Sequence, residues 1–213
     1  SKTHAFLEAS RIDAGGAITV TAENRSSIVA LVGSASVSLG LSGGLGVGVA
    51  IGASVARNLI GYDQTGAPDP LEVMAWSRET GVRATGAFTL SALSQQKIDA
   101  VVVSRAAAIA GGTLGGLAGA GVGVTATNRI GAHVKAWIEG DGPLASGIAA
   151  SSVTVNANDT STIEALGGAA ALAVSFAGGS AGALAVGVAL ATNTIDNRVE
   201  AAIRRVERVQ ATT

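Results

Sequence analysis

Apolar residues fall at every second position through the middle of the first and last thirds of the chain. Val37, Leu39 and Leu41 alternate with Ser and Gly, and Leu45, Val47, Val49 and Ile51 then alternate with Gly and Ala. Leu172, Val174 and Phe176 repeat the pattern, followed by Gly178-Gly179 and by Leu184, Val186, Val188 and Leu190. Period two over such runs predicts strands, and Gly-Gly between two of them predicts a hairpin. One face of each strand is bulky and the other is Gly, Ala and Ser. The small face must meet another sheet or layer closely, because exposed Gly-rich strands are weakly specified in register. The middle third departs from the pattern: Gly119, Gly121 and Gly123 stand where the first third has Val49, Ile51 and Ala53, with Val122 and Val124 between them. A one-residue slip or bulge is expected there.

A membrane-helix reading competes. No charged residue falls between Ile28 and Ala56, Ala106 and Thr127, or Ala165 and Thr194, and each stretch exceeds the roughly 18–20 residues that a spanning helix needs. Gly40, Gly44, Gly48 and Gly52 also fall four apart, the small-xxx-small spacing of packed membrane helices. Against this, glycine costs a helix about 0.8–1 kcal/mol relative to alanine. Bulky residues two apart would also lie on opposite sides of a helix. The strand reading is preferred, and with it an all-β chain.

The pattern recurs because the sequence does. ITVTA from Ile18, FTLSA from Phe88 and VTVNA from Val153 open three segments, and each reaches an asparagine (Asn58, Asn128, Asn193) at the same distance downstream. Thr19, Thr89 and Thr154 share one position of this frame, Ile28, Ile98 and Ile163 another, and Ile60, Ile130 and Ile195 a third. Such a period identifies a repeat architecture. The expected fold is a repetitive β-solenoid-like array, or stacked antiparallel sheets, built from three diverged repeats of about 65–70 residues. The expected organisation is the end of a preceding repeat over 1–17, repeat 1 over 18–87, repeat 2 over 88–152, and repeat 3 with a charged end over 153–213. A second signature, Val-x-Ala-Trp, marks the connectors at Trp76 and Trp137 and degrades to VEAA at Val199–Ala202. His4-Ala5-Phe6-Leu7 reads as the same element of a preceding copy, as in a piece of a longer array. The stretch DQTGAPDP, with Pro68 and Pro70, reads as an exposed loop inserted in repeat 1.

Composition narrows the chemistry. Hydrophobic residues make up 48% of the chain but aromatics only 3%, with 30 glycines, so close backbone packing must replace large side chains. Net charge is −1, and no Lys/Arg run exists to track a phosphate backbone, which argues against nucleic acid as a partner. Cysteine is absent. His4 and His133 lack further ligands at metal spacing. Glu139-Gly140-Asp141-Gly142 lacks both the calcium-binding nonapeptide repeat and the EF-hand frame, and reads as a turn. The glycine-rich runs are not followed by a βαβ frame, and no serine sits in a nucleophile elbow. The expectation is no metal, no cofactor and no enzyme.

The runs ITVTAENRSSIVA through GGLGVGVAIGASVARNLIG, and VTVNANDTSTIEALGG through GGSAGALAVGVALATNTIDNRVEAAI, resemble repeats of very large bacterial exported proteins of the filamentous adhesin and haemagglutinin type. The resemblance implies a non-enzymatic structural or adhesive stalk, extracellular or on the bacterial surface, partnered by neighbouring repeats and by host or matrix glycan or protein. It transfers no catalytic residues. A carbohydrate-binding β module is the alternative if Trp76 and Trp137 are exposed stacking platforms rather than packed plugs; a membrane-inserting protein with Gly-zipper helices is the other. Asn58, Asn128 and Asn193, with Thr19, Thr89 and Thr154, are read as structural repeat positions, the asparagines being either αL residues or an internal amide ladder. Self-association is expected through the front end and the small-residue strand faces, with Arg204, Arg205, Glu207 and Arg208 resembling a cap. In detergent-free buffer the far-ultraviolet circular-dichroism spectrum should be strand-dominated; a strongly helical one would overturn the fold.

Overall fold

The computed structural model describes residues 1–140 and 147–212. These contain no helix and form β1 (Lys2–Glu8), β2 (Arg11–Ala14), β3 (Ile18–Ser42), β4 (Leu45–Ile60), β5 (Leu71–Arg78), β6 (Gly81–Ala84), β7 (Phe88–Gly112), β8 (Gly115–Glu139), β9 (Ile148–Ala150), β10 (Val153–Asp159), β11 (Thr162–Ala177), β12 (Ser180–Arg204) and β13 (Val209–Ala211). Each repeat is one rung. Its chain runs out along β3, β7 or β10–β11, returns along β4–β5, β8 or β12, and crosses through β6, β9 or β13. Successive rungs pair in parallel to build an outgoing sheet (β3, β7 and β10–β11), a return sheet (β1-β5-β8-β12, with β4 beside β8) and a short crossing sheet (β2-β6-β9-β13). Registry follows the repeats residue by residue: Ile18 lies beside Phe88 and Val153 beside Phe88 on its other edge.

The repetitive all-β fold is therefore present, with parallel rather than stacked antiparallel sheets. Gly43-Gly44, Thr113-Leu114 and Gly178-Gly179 are not hairpin turns, since the strands they join belong to different sheets and share no ladder. They are arches that fold one sheet face to face onto another. Gly40, Gly48 and Gly52 form no helical seam; they lie on strands and face the interior between the sheets. Repeat 2 contains no slip or bulge: Val49, Ile51 and Ala53 stand directly beside Gly119, Gly121 and Gly123. The bulk has instead changed faces. Val122 and Val124 point inward, flanked by Gly52 and Ser54 on one rung and by Gly187 and Ala189 on the other, which leave room for them.

The arches dictate what lies inside. A two-residue connection brings the facing backbones closer than the ~10 Å of ordinary stacked sheets. A Cβ placed on Gly46 would fall within the carbonyls of Gly111 and Gly40, and one on Gly40 within the carbonyl of Val47. Interior side chains are smallest beside the arch. In the central rung Gly112 and Gly116 are followed by Ala108, Ala110, Ala118 and Ala120, and valine and isoleucine enter only farther out, at Val102, Val122 and Val124 and then Ile98 and Ile130, with Ala100 and Ala126 between them. At the base, Phe88, Leu90 and Ile138 pack against Val82 and Ile148 of the crossing sheet. The result is a three-sided base with a flat, two-sheet arm. Because the small face fills the arm, the bulky face points outward, with Leu31 at 81% and Ile51 at 74% exposure. The small-residue faces are thus unavailable for the self-association expected of them.

Residues 61–70 replace the single Gly131 of the next rung, since Ile60 pairs with Ile130 and Leu71 with Ala132. The loop is pinned to the outside of the return sheet, where the Arg129 guanidinium lies 4.0 Å from the Tyr62 ring centre and donates to the Gly66 carbonyl. Gly61 and Gly66 take positive φ within it, as such a reversal requires.

The two classes of glycine make opposite predictions. Gly46→Val should destabilise by roughly 3 kcal/mol or more, the upper range of overpacking, because backbone and not a mobile side chain blocks it. Gly121→Val, with nothing within 4 Å of its Cβ position, should leave stability unchanged or raise it by up to about 1 kcal/mol. Urea titrations of both variants check the pair.

Candidate functional site

Two ladders run across the rungs, one inside and one outside. Inside, the Asn58 side-chain amide donates to Asn128 Oδ1 at 2.7 Å, and the Asn128 amide donates to Asn193 Oδ1 at 2.8 Å. Asn58 and Asn128 are buried. None of the three has a positive φ, so of the two structural readings the geometry is that of the amide ladder. Stacked amides satisfy each other because in-register rungs sit about 4.8 Å apart. A buried polar residue costs little only when paired in this way. Thr19, Thr89 and Thr154 also align in register, on the outer side of the outgoing sheet.

Outside the return sheet, Phe6, Trp76 and Trp137 occupy one register position on three rungs. Phe6 stacks on Trp76 at 4.7 Å and Trp76 on Trp137 at 5.0 Å, both nearly parallel, while His4 meets Trp76 edge-on at 5.2 Å. On the next rung this position is Ala202. The stack therefore ends in a step, a cleft of about 230 Å³ beside Trp137, lined by Lys135, Glu139, Glu200 and Arg204. Lys135 approaches Glu200 at 3.7 Å and Arg205 approaches Glu139 at 3.2 Å, so the rim carries both charges. The two tryptophans are thus half-buried plugs against each other, and Trp137 is also the last plate of an open stack.

No known protein family, curated protein or solved structure matches the chain.

His4 Nε2 lies 3.3 Å from Glu72, which also meets Lys2 at 3.3 Å. Burial pushes the Glu72 carboxyl up, but the hydrogen bond and charge of Lys2, helped by His4, outweigh it and hold the group below the ordinary glutamate value. Glu72 stands in register with His133 of the next rung, on the outer face. Among the described residues no group of three or more His, Asp or Glu gathers as a metal site. Asp141 and Gly142 of the acidic turn lie outside the described residues. The charged segment Arg204–Arg208 leads into β13, with Arg204 paired to Glu200 of its own strand and Arg205 to Glu139 of the preceding rung. It does not cap the last rung: β11 and β12 have no strand on their outer edges among the described residues.

Sequence reading missed a second interior polar cluster, in which Ser54 donates to Ser34 at 3.0 Å and the Ser34 and Ser104 hydroxyls of adjacent rungs hydrogen-bond, either one donating. Its signal was available, since Ser34 and Ser104 occupy the same repeat position.

Asn128→Ala removes the middle of the amide ladder, leaving the Asn58 donor and the Asn193 acceptor without their partner. It should cost about 2 kcal/mol, a typical penalty for unsatisfied buried groups. Asn193→Ala, at the exposed end, should cost less than about 1 kcal/mol. Equal costs in chemical denaturation would show that the ladder is not the source.

Proposed function

We propose that the chain is a non-enzymatic structural segment of a repetitive bacterial surface or secreted protein, acting as part of an adhesive stalk. The observation that carries this reading is that the rungs add in register. Backbone, amide and aromatic ladders all extend along one axis through successive rungs. A unit of this kind gains length by repetition without new interface chemistry, which suits a spacer that carries contacts away from a surface. The sequence resemblance to filamentous adhesin repeats points the same way.

A second reading is favoured by the step above Trp137. An indole face beside a cleft rimmed with Lys135, Glu139, Glu200 and Arg204 offers an apolar plate for the C–H face of a sugar ring and polar groups for its hydroxyls. On this reading the module binds carbohydrate at the end of the stack, and Trp76 supports the plate from behind.

Antibodies raised against the chain should label intact, unpermeabilised cells of its source or the culture medium. Labelling only after permeabilisation would overturn the stalk. On a glycan array, binding that disappears in Trp137→Ala and persists in Phe6→Ala would establish the second reading; binding indifferent to Trp137 would remove it.

A further inference from the structure

The arm leaves two apolar faces outward, and they differ in relief. On the outgoing sheet the gap at Gly111 is already filled, because Phe176 and Leu41 from the neighbouring rungs lean over it. On the return sheet nothing comes within 4 Å of a Cβ built on Gly119, Gly121 or Gly123. These glycines sit between Val49 and Ile51 on one rung and Leu184, Val186 and Val188 on the other, in direct register. The result is a trough one strand wide between two aliphatic ridges, whose residues are 50–74% exposed.

We propose that this outer face, over Leu45–Val55, Gly115–Thr125 and Ser180–Leu190, docks against the same face of a second copy of the chain. The shape is self-complementary under one operation. A two-fold axis lying between the two faces and parallel to the strands reverses the order of the rungs while keeping each residue's place along them. Shifted by one rung, it sets Leu184, Val186 and Val188 of each copy over Gly119, Gly121 and Gly123 of the other. Both troughs fill at once, as an isologous contact requires. An axis along the stacking direction would oppose ridge to ridge and trough to trough instead.

Charge agrees with this occupant, and area sets its strength. No charged residue lies within the three segments, so two identical faces meet without repulsion. With the one-rung shift two rungs of each copy overlap, so eleven residues at about 3.3 Å across two rungs at about 4.8 Å give a footprint of about 350 Å² per copy. The pair therefore buries about 700 Å², below the range of stable specific interfaces, which fits a weak and rapidly reversible dimer. A lipid surface is the alternative occupant, which vesicle binding distinguishes. The pairing is lateral and does not depend on the stalk reading.

Sedimentation velocity over a hundredfold concentration range should show a monomer–dimer equilibrium that stops at two. Val186→Glu, which removes a ridge, and Gly121→Val, which fills the trough without touching the interior, should each weaken it at least tenfold with unchanged circular dichroism. Leu39→Glu on the other apolar face should leave it intact. Mixed Gly121→Cys and Val186→Cys chains should form a 121–186 disulfide across the dimer. The proposal is overturned by a monomer throughout, by open-ended oligomers, by a dimer indifferent to Gly121→Val, or by a chain that stays monomeric and instead binds phosphatidylcholine vesicles.

Discussion

Everything in this molecule depends on parallel pairing between equivalent residues of successive repeats. Each rung's backbone hydrogen-bonds to the next in strict register, so a side chain's neighbours above and below are the residues at its own repeat position. That constraint explains why the chain tolerates asparagine at one interior position of every copy, buried at Asn58 and Asn128: a residue that would be costly alone is paired with its own kind on the neighbouring rung. It also explains why aromatic residues recur at one connector position, where flat rings can stack at the rung spacing. Insertions are admitted only where they leave the register untouched. Residues 61–70 loop out between Ile60 and Leu71, and both flanks rejoin the ladder in phase.

The second constraint is the arch. Joining two long strands with two residues and turning them face to face forces the sheets together at one end, so the interior beside the arch is glycine and alanine, and valine, isoleucine and phenylalanine enter only farther from it. A low aromatic content is the compositional trace of this wedge. Most of the arm's interior has no room for a ring, and large side chains gather only at the base, where the crossing sheet opens a three-sided core.

The wedge has a cost in surface. Aliphatic residues excluded from a thin interior remain outside, and their extent on the arm exceeds the scattered apolar exposure normal for a soluble surface. Such faces are functional candidates in their own right. Exchange of bulk between the two faces in repeat 2 links the levels: moving Val122 and Val124 inward left glycines outward, and those glycines give the return sheet its relief. One local change of side-chain order thereby shapes both core and surface.

Period-two alternation, the three copies and the recurrence of Asn58, Asn128 and Asn193 were legible in the sequence, because they are properties of position along the chain. Strand structure, the number of rungs and their boundaries follow from them. The outward Thr19, Thr89 and Thr154 row also follows from the repeat frame. Alternation cannot decide which of two faces is inside, since both satisfy the same pattern. Hydrophobicity alone assigns the bulky face to the core, and here the arch geometry reverses that. Nor could Gly178-Gly179 reveal whether its flanking strands share a sheet or face each other from two, because a hairpin and an arch use the same residues. The step at Trp137 needed the register as well, since it exists only where Ala202 comes to lie on the next rung. Tertiary structure decided these points because each depends on the distance between strands remote in sequence, which is set by packing and not by local residue order.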